Sequence, residues 1–187
     1  MEAFTYLSVL LSIILGLAIT QVLQGFRGLM LARTRLHTYW PCLSWAVLLL
    51  LLDVQAWWAM YDLRFHHDWS FVGFVAVLAQ TVPLYLMAGL VLPDIGIEGQ
   101  VDLRTHYYAN HRWFFAILGL MLVTSIAKQV VLFGNLPAPL DLGVQMIFLV
   151  VAVIAAWTPR EWYHKALIPF SAVTIAAYIT VLFPYLH

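Results

Sequence analysis

Charge is what this sequence has least of. Nine Lys or Arg residues and nine Asp or Glu residues make up 10% of 187 residues, and they cancel. A soluble domain carries about a quarter charged residues. Zero net charge removes any general pull toward nucleic acid. Cysteine is nearly absent too: Cys42 stands alone, which excludes an intrachain disulfide and a multi-cysteine zinc site. There is no phosphate-cradling glycine loop, nucleophile elbow or zinc-protease histidine pair. No histidine falls deep in an apolar run, so haem held by two histidines inside a membrane is not expected. The sequence thus gives no reason to expect a cofactor or a metal.

What fills the space is apolar. Hydrophobic residues are 64% of the chain, and the mean hydropathy is +0.90. A soluble fold of this size lacks the interior to hide so much apolar surface. Lipid is the matching solvent, and a spanning helix needs about 20 largely apolar residues. Six runs qualify: Phe4–Phe26, Pro41–Met60, Phe71–Leu92, Trp113–Gly134, Ala138–Trp157 and Lys165–Leu186. The expected fold is an all-α polytopic bundle of six transmembrane helices forming a single domain over residues 1–187. The first run is too long for a signal-peptide core, lacks a basic flank before it, and is followed by Arg27, Arg33 and Arg35. A cleavable leader is therefore not expected.

Arginine sets the orientation. With six spans, alternate loops share a side. One side carries Arg27, Arg33, Arg35, Arg104, Arg112, Arg160 and Lys165, while the other carries Arg64 alone. This predicts that the basic side is cytoplasmic and both termini are periplasmic, in a bacterial inner membrane. Trp40, Trp57, Trp58, Trp69, Trp113, Trp157 and Trp162 fall at or beside span ends, where indole rings anchor depth. Trp45 lies about one turn inside.

The longest loop, Pro93 to Arg112, repeats Leu103 and Tyr107 at i, i+4. That spacing predicts a short amphipathic helix on the cytoplasmic interface, leading into the fourth span. Arg104, His106 and Arg112 on it are candidate contacts for a protein partner or lipid head groups. Ile14-Leu15-Gly16-Leu17 recurs as Ile117-Leu118-Gly119-Leu120, which suggests two inverted three-helix halves, residues 1–93 and 112–187.

Ionisable groups in hydrocarbon are costly, and each is a functional candidate by default. Asp53 interrupts the leucines of the second span, and Lys128 sits in the fourth. At about 1.5 Å of rise per residue, they lie roughly 18 and 22 Å from the cytoplasmic boundary. Similar height makes a direct Asp53–Lys128 pair an expectation. Gln55, Gln80, Gln129, Gln145 and Tyr178 fall in the same layer, roughly 16–24 Å deep. Such a layer reads two ways: a hydrogen-bonded network that fixes helix register, or the lining of an ion or proton path.

Ser8, Ser12, Gly16 and Thr20 recur at every fourth residue of the first span and form a candidate helix-packing face, open to use between copies in a homo-oligomer. Pro83 and Pro169 interrupt spans three and six and favour kinks. His66-His67-Asp68 is a weak metal signal on a loop.

Three function classes remain. The first is a channel or transporter for a small ion, proton or small solute. The second is a non-transporting membrane subunit, assembly factor or sensor that binds a partner or lipid through its cytoplasmic loop. The third is a membrane enzyme; only the His66–Asp68 and His106–His111 clusters offer it any groups.

Overall fold

The fold is described from a computed structural model, over residues 3–66, 68–96 and 99–182. Six helices carry it: α1 (Ala3–Leu31), α2 (Trp40–Met60), α3 (Phe71–Val91), α4 (Leu103–Phe133), α5 (Pro139–Trp157) and α6 (Glu161–Leu182). The chain is all-α, as expected. Five of the helices, α1 to α5, are long and apolar enough to cross a membrane. By length and composition this is a multi-pass membrane protein. α6 opens with Glu161, Tyr163, His164 and Lys165, so its polar start dilutes an otherwise apolar helix. The end of the sixth predicted run, residues 183–187, lies outside the described residues.

Local chemistry explains the helix ends. Ser70 caps α3 by accepting a hydrogen bond from the Gly73 amide at 3.0 Å. Asp102 caps α4 by accepting from the Arg104 amide at 3.0 Å. Gly134 closes α4 at φ +69°, and its amide donates to the Val130 carbonyl at 2.9 Å. A left-handed residue at this position favours glycine, and Gly134-Asn135-Leu136-Pro137 carries the chain from α4 to α5. α3 and α6 run on through Pro83 and Pro169.

The interfacial helix expected before the fourth span is not a separate element. α4 is one helix of 31 residues, about 46 Å long and well beyond the roughly 30 Å of a hydrocarbon core. No proline or glycine breaks the chain between Leu103 and Gly119. Leu103, Tyr107 and His111 continue as a buried stripe into Phe114, Phe115 and Leu118. The i, i+4 pattern at Leu103 and Tyr107 was therefore a protein-facing stripe, not a lipid-facing one.

α1 packs along α3, α3 along α4, and α4 along α5; α2 lies against α1, α3 and α6. The first and second halves thus pair their helices differently. Gly16 faces open space, whereas a side chain at Gly119 would meet Leu149. The buried face of α1 is Leu7, Leu11, Leu15, Ala18 and Val22. Ser8 and Ser12 are half-buried, and Gly16 and Thr20 are exposed. Within one chain the small-residue stripe is thus off the packing face. Its hydroxyls fold back onto their own helix, Ser12 to the Ser8 carbonyl at 2.6 Å and Thr20 to the Gly16 carbonyl at 2.7 Å.

The three arginine-bearing loops gather at one end. Leu36 and His37 (β1) pair in parallel with Val101 and Asp102 (β2), joining the first loop to the third. Arg35 donates to the carbonyls of Gly96 and Gly99. Arg104 forms an ion pair with Glu161 at 2.8 Å, joining the third loop to the fifth. Trp40, Trp57, Trp113, Trp157 and Trp162 are all exposed, as interface anchors must be. Trp45 is in the core instead, edge-on to Phe115 at 5.3 Å.

Candidate functional site

α5 and α6 follow each other in sequence but scarcely pack together among the described residues. Side chains bridge them instead. The Tyr163 hydroxyl donates to the Val151 carbonyl at 3.0 Å, Phe148 meets Phe170 at 5.7 Å, and Tyr178 reaches Asp141. α5 stays with α4, and α6 stays with α2. The space between these two pairs is a cavity of about 370 Å³, within the size range of small-molecule sites.

The cavity collects most of the predicted polar layer. Gln55, Gln80, Lys128, Gln129, Gln145 and Tyr178 all line it. Helix periodicity accounts for this. α4 presents Leu118, Met121, Leu122, Ser125, Lys128 and Gln129, and α5 presents Asp141, Val144, Gln145 and Phe148. Steps of three and four residues keep each set on one face. Lys128 lies five residues before Phe133, about 8 Å along α4 from its end. The cavity therefore sits toward the end opposite the arginine-bearing loops, where Asp62, Leu63 and Pro137 also border it.

Asp53 is not on this wall, and the expected Asp53–Lys128 pair is not formed. Neither oxygen of the fully buried Asp53 carboxylate has a hydrogen-bond partner among the described residues. The only ion pairs among those residues are Arg104–Glu161 and Lys165–Glu161. Similar height along the bundle does not by itself bring two side chains together, because rotation about the helix axis also decides which face they take. Leu52 lines the cavity, and the next residue is rotated about 100° round the helix, so Asp53 turns away.

The carboxylate that does face Lys128 is Asp141, whose charge acts on the ammonium across the cavity wall. Sequence reading passed over it because it stands in the first turn of α5, beside a loop. One signal could have found it: Asp141 precedes Gln145 by four residues and so shares its face. Gln145 donates to Asp141 Oδ1 at 2.8 Å, and the Tyr178 hydroxyl donates to the same oxygen at 3.0 Å. The first turn of a helix favours a negative charge. Asp141 is thus held by α5, α6 and the helix end together.

Lys128 is half-buried and makes no hydrogen bond or ion pair among the described residues. Gln80 and Gln145 each have a side-chain carbonyl oxygen that is buried without a donor. Gln129 reaches Asn135 only at 3.5 Å. Lys128 and Asp141 therefore border one cavity without an ion pair between them. Unpaired groups at such depth are expensive.

The other candidates lie elsewhere. Arg104 is held by Glu161, and His106 Nε2 donates to the Leu90 carbonyl at 3.0 Å. Arg112 is exposed. His66 Nε2 donates to the Asp68 carbonyl at 3.2 Å, and Trp69 donates to the His66 carbonyl; His67 lies outside the described residues. No group of three metal-ligating side chains occurs among the described residues.

Two histidines are far less peripheral than the sequence suggested. His164 is fully buried and His111 nearly so. His164 Nε2 lies 2.8 Å from the Thr158 carbonyl, which can only accept, so Nε2 carries the proton. Nδ1 then accepts from the Tyr107 hydroxyl at 2.9 Å. Around them Tyr39 and Tyr108 join hydroxyls at 3.1 Å, and His111 stands perpendicular to His164 at 5.6 Å. Burial and the Tyr108 contact raise the Tyr39 phenol well above its ordinary range. This cluster closes the arginine-bearing end.

Fold and site together define a multi-pass helical membrane protein with a polar, charge-bearing cavity between its helices. Comparison with protein-family models, curated proteins and solved structures gives no match.

Proposed function

We propose that this chain is a membrane transporter or channel for a small solute, which it takes into the cavity between α2, α4, α5 and α6. One observation carries the reading: Lys128 has no partner among the described residues and borders a cavity of about 370 Å³, beside an Asp141 already fixed by Gln145 and Tyr178. A purely structural layer would be expected to pair its charges, because half-satisfied polar networks weaken a bundle. Here the network stops one partner short. In this reading Lys128 and Asp141 hold the solute, and Gln55, Gln80, Gln129 and Gln145 line its path. Asp53 becomes a buried neighbour of the path.

Six spans complete the proposal, with α6 as the last, the basic loops in the cytoplasm and both termini periplasmic in a bacterial inner membrane. The charge bias of the loops supports this orientation. The test is flux in proteoliposomes with a panel of small ions and solutes. Lys128→Met is expected to abolish uptake, while Asp53→Asn keeps it within about twofold of the parent. Uptake lost in Asp53→Asn but kept in Lys128→Met would overturn the assignment.

A second reading rests on the opposite end. Arg27, Arg112 and Arg160 have side chains without a hydrogen bond or ion pair among the described residues, which suits a protein partner or anionic lipid. A chain used only for docking would lose co-purification when Arg104, His106 and Arg112 are replaced, and would show no flux.

A further inference from the structure

Resting on the reading of the cavity as a solute site, we infer that its ligand is a small zwitterion with an apolar side group, of the free α-amino acid class. The argument begins with the free valences. Lys128 offers three N–H donors and no acceptor, and none is used among the described residues. Both hydrogen bonds to Asp141 land on Oδ1, leaving Oδ2 without one. The cavity wall therefore offers the Lys128 ammonium to a ligand anion and the Asp141 carboxylate to a ligand cation, with the exposed carboxylate of Asp62 also on its border.

A simple anion would satisfy Lys128 and leave the Asp141 carboxylate without a cation. A simple cation would satisfy Asp141 and leave the ammonium of Lys128 stranded. A ligand carrying carboxylate and ammonium together answers both, and adds no net charge to a site inside the membrane. Leu118, Leu122, Phe148 and Ile175 give the same space an apolar side, while Asp62, Ser125 and Thr174 also border it. That apolar side recognises an aliphatic or aromatic side group. The cavity volume lies at the small end of ligand sites, which suits a single amino acid better than a long lipid chain.

The test uses the full chain purified in lipid nanodiscs, with calorimetry as the readout. The probes are L-leucine and L-phenylalanine, each beside its deaminated acid (4-methylpentanoate, 3-phenylpropionate) and its decarboxylated amine (3-methylbutylamine, 2-phenylethylamine). The expected result is that each amino acid binds at least about tenfold tighter than either of its one-charge analogues, as a site built to pair both groups requires. Lys128→Met should reduce the amino acid to the level of the amine, and Asp141→Asn to the level of the acid. The parent panel decides the matter without any variant, so a misfolded variant does not obscure it. An acid binding as tightly as its amino acid would overturn the inference in favour of an anion site. So would the failure of all six probes to bind. Transport of some other solute with no amino-acid binding would sink this inference alone. Amino-acid binding without flux would sink the transport reading alone.

Discussion

The two ends of the bundle handle polar side chains in opposite ways. At the arginine-bearing end, most buried polar groups find partners, although Nε2 of His111 has none among the described residues. His164 is satisfied at both ring nitrogens by Tyr107 and Thr158, Tyr39 meets Tyr108, and Arg35 and Arg104 tie separate loops together. At the other end, the cavity leaves Lys128 without a partner among the described residues, and two nearby glutamine oxygens are buried without donors there. Aromatic rings fill the first end, whereas splayed helices leave the second open. The comparison teaches that residue type alone does not separate fastening from function. What separates them is whether the unpaired group borders an open cavity, as Lys128 does, or is packed among rings, as His111 is.

That contrast can be broken first at His164. His164→Ala removes two hydrogen bonds and leaves a void where the residue is fully buried. A loss of about 2–4 kcal/mol is expected, read as a fall in the melting temperature of the detergent-solubilised protein. Tyr107→Phe strands one ring nitrogen of His164 and should cost about 1–3 kcal/mol. If both variants melted like the parent, the closed end would not be the fastened one.

Lys128→Met should move the other way. It replaces an unpaired cation by an apolar chain of similar length, so stability is expected to hold or rise by about 1 kcal/mol while ligand binding is lost. A destabilisation comparable with that of His164→Ala would mean that Lys128 fastens the bundle after all.

Glycine gives a smaller and sharper test. A side chain at Gly25 would meet Leu92 Cβ at 2.8 Å, whereas Gly16 faces open space. Alanine gains about 1 kcal/mol of helix propensity at either position, but the clash at Gly25 costs about 1–3 kcal/mol. Gly25→Ala should therefore melt lower and Gly16→Ala slightly higher. If Gly16 seats a second copy of the chain, its alanine variant would instead lower the particle mass.

The smallest effect expected is at Asp102. The Thr105 hydroxyl and the Arg104 amide hold its carboxyl below the usual carboxylate range. A depressed acid stabilises the fold above its unfolded pKa and loses that contribution as pH falls through the folded value. The parent should therefore lose slightly more stability on acidification below about pH 4 than Asp102→Asn does. Thermal melts across that range read the difference.

The sequence by itself determined the solvent of this protein, its helical class and the places where the chain turns. Apolar run length, arginine spacing and the punctuation at Gly134 act locally, and local signals survive without a fold. Tertiary structure alone decided which polar groups meet. One residue of rotation turned Asp53 out of the cavity and left Asp141 to face Lys128 in its place. It also merged the expected surface helix into α4, because a stripe such as Leu103 and Tyr107 looks the same whether lipid or protein covers it. The physical reason is that depth follows from counting residues along one helix, whereas pairing depends on the azimuth of several helices at once, which packing sets.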